Sequence, residues 1–139
     1  MNWKVLIMAT PSLQHLEATR GRPDLVGRLL ELYRHELEIY RRVLSLSHRQ
    51  GDVVRQGGSF REVRTVLEEK NRCLAVIARL EKDETASRTA WERDRNNLSS
   101  GDRSRVHRAL QAVADLIEEI LTCEEKNDND LIRRTGVLG

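Results

Sequence analysis

The residues able to do chemistry are scattered along this chain rather than gathered. The four histidines, His15, His35, His48 and His107, stand apart from one another. His35 and His48 share a predicted helix but lie far beyond the roughly three-to-five-residue spacing that puts two imidazoles on one metal ion. The pairs Glu68-Glu69, Glu118-Glu119 and Glu124-Glu125 invite comparison with a carboxylate-bridged metal centre. Such centres need Glu-x-x-His pairs facing into a bundle, and none occurs. Cys73 and Cys123 are too few for a disulfide framework and lack metal-ligand spacing, so two buried core thiols are expected. Gly57-Gly58-Ser59 is a loop and a helix cap, since no Lys-Ser/Thr pair follows to cradle phosphate. No Ser, Cys or Lys has a visible activating base. The expectation is a protein without catalytic residues, metal or cofactor.

Arg41-Arg42, the pair Arg93 and Arg95, and the trio Arg103, Arg105 and Arg108 form local basic clusters. Glu92, Asp94 and Asp102 stand among the last two groups, so a solvated helix end explains them more simply than a nucleic-acid site does. Composition agrees. The formal net charge is +2, from 24 basic and 22 acidic side chains, without the basic excess of a dedicated nucleic-acid binder. No apolar run reaches the roughly 18 residues of a membrane span, and Val5–Ala9 is too short for a signal-peptide core. A cytoplasmic protein with no membrane insertion is expected.

What must position any functional surface is a set of helices. Pro11 and Pro23 are the only prolines, so nothing beyond residue 23 interrupts a helix. Val26, Leu30, Tyr33, Leu37, Tyr40 and Leu44 form one apolar row. Leu25, Leu29, Leu32, Ile39, Val43 and Leu46 form a second beside it. Two adjacent rows are wider than a two-stranded seam, so this helix touches two neighbours, and a homodimer stays open. The first helix is predicted over about 23–50, stopped by Gly51. A second over 59–97 opens with the capping box of Ser59 and Glu62 and carries Phe60, Val63, Val66, Leu67, Cys73, Leu74, Ile77 and Leu80 as its apolar face. A third over 102–134 starts behind Ser99 or Ser100. Its four poor helix formers, Asn127-Asp128-Asn129-Asp130, mark a marginal stretch. Residues 1–22 read as an arm, with a short helical turn at Leu13 and Leu16 capped by Ser12.

Short loops between long helices imply antiparallel neighbours. The expected fold is therefore all-α: an elongated antiparallel three-helix bundle over 23–136 behind an N-terminal arm. Folding the pattern about its turns makes 86–97 and 102–112 a thinly apolar two-helix tip beyond the first helix.

The stretches LLELYRHELEIYRRVL (29–44), VLEEKNRCLAVIARLE (66–81) and LIEEILTCEEKNDNDLI (116–132) resemble the flagellar export chaperones of the FlgN family. In the last, Asn127 and Asn129 precede the Leu131-Ile132 pair, although Asp128 and Asp130 disturb the family's usual spacing. The resemblance implies a cytoplasmic helical protein that holds the amphipathic terminal helices of hook-associated proteins. It would prevent their premature assembly and deliver them to components of the export apparatus. It also implies that the C-terminal helix contacts the client, here through Leu116, Ile117, Ile120, Leu121, Leu131 and Ile132. The alternatives are a chaperone for the filament cap protein and a non-flagellar coiled-coil adaptor.

Overall fold

Apolar residues recurring every three or four positions produce helices throughout. The computed structural model describes residues 22–135, and among these the regular elements are four α-helices and one 3-10 turn, with no strand. Helix α1 spans Arg22–Arg55, α2 Phe60–Asp83, α3 Thr85–Asp94 and α4 Ser100–Thr135, with the 3-10 turn at Arg95–Asn97. The expected arm and its turn around Leu13 fall outside the described residues.

Local signals set most of the helix ends. Ser59 Oγ accepts the Glu62 amide at 3.2 Å, as the capping box requires. Ser99 Oγ accepts the Asp102 amide at 3.0 Å at the start of α4. Gly57 closes the α1–α2 turn with φ +73°, a conformation that a Cβ disfavours. The expected break at Gly51 is corrected: α1 runs through it to Arg55. A Cβ on Gly51 would lie 2.5 Å from Asn127 Oδ1, so this glycine lets another helix approach. The single helix expected over 59–97 divides at Glu84. Its hydrogen bonds nonetheless continue through the break, from the Glu84 amide to Leu80 O at 2.9 Å and from the Arg88 amide to Glu84 O at 2.8 Å.

The packing divides into two compact units, one built from residues up to 37 with 78–114, the other from 38–77 with 115 onward. In the first unit Leu25, Val26, Leu29 and Tyr33 of α1 are buried, as are Trp91, Leu98, Val106, Leu110 and Val113. The expectation of a thinly packed tip at 86–97 is therefore corrected. One large indole, Trp91 at 1% exposure, fills a volume that the count of apolar residues understated. Three acids, Glu36, Glu84 and Asp94, are fully buried in the same unit. Arg93 and Asp94 form an ion pair at 3.1 Å, and Arg95 lies over the Trp91 ring at 5.9 Å. Burial, reinforced by nearby Glu84 and Glu36, pushes the Tyr33 phenol far above its ordinary range, so it remains a neutral donor.

The second unit buries Tyr40, Val43, Leu46 and Val54 of α1, Val63, Val66 and Ile77 of α2, and Leu116 and Ile120 of α4. Its core also holds Ser47, Gln50, Lys70 and Asn127, all nearly or fully buried. The poor helix formers at 127–130 lie within α4, and one of these core residues shows why. Asn127 is 1% exposed, and its side-chain amide donates to the Ser47 carbonyl at 2.7 Å. Arg55 pairs with Asp130 at 3.1 Å. These tertiary bonds outweigh four unfavourable propensities of about half a kcal/mol each.

Two glycine substitutions separate packing from propensity. Gly51→Ala forces Asn127 aside and lowers unfolding stability by about 1–3 kcal/mol. Gly27→Ala meets open space within α1 and raises stability by about 0.5–1 kcal/mol. Urea denaturation of both variants checks the contrast. Acidification gives a second test. Burial, then Arg95 and Arg103, hold the His107 imidazole below its ordinary value of 6.5. The unfolded chain therefore takes up that proton first, and the contribution present above about pH 6.5 disappears as pH falls through the lower folded value. His107→Phe flattens this part of the stability profile in thermal melts across pH 5–8.

Candidate functional site

The site is set by the polar core of the second unit. The Lys70 ammonium, 6% exposed, forms an ion pair with Glu124 of α4 and donates to Gln50 Oε1 of α1 at 2.9 Å. The Ser47 hydroxyl donates to the same Glu124 carboxylate. One cation thus ties α2 to both neighbours. At the end of the same pair of helices the Arg134 guanidinium lies over the Phe60 ring at 5.3 Å. From the Lys70–Glu124 pair to the Phe60–Arg134 pair the chain runs backward along α2 and forward along α4. Within this unit the two helices are therefore antiparallel, with Leu74 near the level of Leu121 and Leu67 near that of Asp128.

This register decides which apolar side chains remain outside. Val63, Val66, Lys70 and Ile77 form the inward line of α2. Phe60, Leu67 and Leu74 repeat at seven-residue spacing on a neighbouring line and stay open, at 61%, 39% and 44% exposure. Leu121 of α4 is 61% exposed. On the helical wheel of α2 the exposed line and Glu69 fall on opposite sides of Lys70. Glu69 pairs with Arg42 of α1 at 2.7 Å, so that side belongs to α1 and the open line faces α4. On α4, Cys123, Asn127 and Asp130 make the contacts with α1, which leaves Leu121 and Asp128 toward α2. The second unit thus carries an apolar groove between α2 and α4.

The expected contact residues divide across this geometry. Leu116 and Ile120 are buried in the core at 8% exposure each. Ile117, Leu131 and Ile132 are half-buried, and Leu121 alone is open. Leu116 and Ile120 thus serve the unit itself, because their position on the α4 wheel points at the core line. Phe60, Leu67 and Leu74 belong to the apolar face expected of this helix, and the structure leaves them outside. No spacing signal separates them, because the buried line of Val63, Lys70 and Ile77 recurs at the same seven-residue interval.

A cleft of about 340 Å³ opens beside α1 and α4, lined by His48, Arg55, Glu119, Thr122, Cys123, Lys126 and Asn127. Here Cys123 Sγ lies 3.7 Å from His48 Nδ1. Burial, with nearby Glu124, holds the thiol above its ordinary value, which keeps it protonated and weakly nucleophilic. Neither cysteine is in a disulfide, and both are half-buried rather than the core thiols expected. Among the described residues no group of three His, Cys, Asp or Glu side chains is placed to hold a metal ion. No helix among them is long and apolar enough to cross a membrane.

No protein-family model, curated protein or solved structure matches this chain.

The core and the groove separate by mutation. Lys70→Ala strands a partly buried carboxylate and costs about 2–3 kcal/mol, less than a wholly buried pair because Glu124 keeps some solvent. Leu67→Glu, on the groove wall, stays within about 0.5 kcal/mol of the parent. Equilibrium unfolding of the two variants reads the difference.

Proposed function

We propose that the protein is a helix-holding chaperone, and that the groove between α2 and α4 receives an amphipathic helix of its client. The observation that carries this reading is the row of Phe60, Leu67 and Leu74, three large apolar side chains left open at heptad spacing. That spacing suits the apolar seam of another helix, because residues seven apart return to one face. Scattered single hydrophobes on a surface need no explanation, but an aligned row beside a fourth, Leu121, is what a docking face requires.

The FlgN-like stretches supply the client class. By that resemblance the clients are hook-associated proteins, held in the cytoplasm until export components receive them. The finer architecture belongs to the same proposal: an antiparallel three-helix bundle in which α2 and α3 form one arm interrupted at Glu84. The client-contacting residues are then Phe60, Leu67, Leu74 and Leu121, with Ile117, Leu131 and Ile132 at the margins. Leu116 and Ile120 support the groove from beneath.

Magnitudes indicate a reversible holder. Covering the exposed parts of the four open side chains offers gross stabilisation on the order of 5 kcal/mol. Association alone costs at least about 4 kcal/mol. Useful affinity therefore needs further contacts along the rim, and release remains easy.

Immobilised full-length protein retains peptides of the C-terminal helices of hook-associated proteins at micromolar concentration. Leu67→Glu with Leu74→Glu weakens that binding at least tenfold while the circular-dichroism melt is unchanged. Absence of binding by the parent protein at high micromolar peptide removes the reading.

A further inference from the structure

The rim of the groove is unequal in charge. Along α4 three exposed acids, Glu118, Glu125 and Asp128, follow the wall that holds Leu121. None of their carboxylates makes an ion pair or hydrogen bond among the described residues, whereas the neighbouring Glu124 is committed to Lys70 and Ser47. The α4 residues between and beside them on that face are Ala114, Ile117, Leu121 and Ile132, and the cation at this end of the groove, Arg134, lies over the Phe60 ring. The opposite wall on α2 carries Arg64, Asn71 and Ala78 outside its apolar row, with the exposed Glu68 farther round, so its two charges balance.

We infer that the groove selects helices with a basic flank: an amphipathic helix with apolar residues at heptad spacing and Lys or Arg along the edge that lies beside α4. This rests on the groove being a docking site, and adds the chemistry of its occupant. The apolar row fixes where a helix lies. The acidic rim fixes which helix and which way round, because a flank of carboxylates there would meet three like charges at short range. From Phe60 to Leu74 the row spans about four helical turns, so the occupant needs about 15–18 residues. A second copy of this chain, docked through the same face, is a poorer match, since its α2 rim presents Arg64 with Glu68 beside it to the three acids.

The test uses full-length protein and three fluorescent 18-residue helical peptides with one leucine heptad face. One carries Lys and Arg on a single flank, one Glu, and one Gln. Anisotropy titration in low salt gives the basic-flank peptide more than tenfold tighter binding than the acidic-flank peptide, with the Gln peptide between them. The gap narrows in half-molar salt, as it must if screened charge creates it. The combined variant Glu118→Gln, Glu125→Gln, Asp128→Asn leaves the Gln peptide's affinity unchanged and brings the other two within about twofold of each other. Equal binding of all three peptides, abolished by Leu67→Glu with Leu74→Glu, overturns the charge selection and leaves the groove standing. No binding of any peptide at high micromolar concentration overturns both. Sedimentation of the free protein as a dimer that Leu74→Glu splits assigns the groove to a second copy and overturns the basic occupant.

Discussion

A buried ammonium governs the second unit. Lys70 lies on the core line of α2, where an aliphatic residue would ordinarily stand, and it is satisfied by Glu124 and Gln50. An ion in that position is tolerable only with its partners in place. The three helices are therefore held in one rotation and one register. Turning α2 to bury Leu67 and Leu74 would draw Lys70 away from both partners and swing Val66 and Ile77 outward. The exposed apolar row is thus a consequence of the buried charge, not a fault in the packing. The unique packing and the exposed apolar row come from the same interaction.

A second polar contact extends the order along α4. The carbonyl of a helical residue is normally screened by the side chain one turn later. At Ser47 that later residue is Gly51, and Asn127 reaches the open carbonyl at 2.7 Å. The stretch of α4 with the weakest helical propensity is fastened there, with Arg55 and Asp130 adding an ion pair. Beyond Ile120, α4 buries no large aliphatic side chain as deeply as the segment before it does. Its final turns are thus held chiefly by polar contacts, which are directional and fix the helix against α1 while leaving its other face free.

The two units solve burial differently. The first centres on large side chains, Tyr33, Leu29 and Trp91, with acids among them. The second places a hydrogen-bonded network under an apolar surface. The division has a physical logic, since it leaves greasy side chains exposed without loosening the fold beneath them. Hydrophobic contact is non-directional and would let the helices slide, whereas paired polar groups in low dielectric penalise each alternative arrangement.

The helices, their caps at Ser59 and Ser99, and the all-α class were legible in the sequence, because period and capping act within a few residues. The sequence also showed that apolar rows recur more widely than one seam needs. It could not rank those rows. Asn127 and Gly51 read locally as a helix weakener and a stop, Lys70 carries no local signal of its burial, and each acquires its role only from a residue far along the chain. The choice of Phe60, Leu67 and Leu74 as the open face, rather than Leu116 and Ile120, belongs to tertiary structure. A helical wheel defines angles about one axis, but the direction of the core is set by the charges and carbonyls that other helices bring to it.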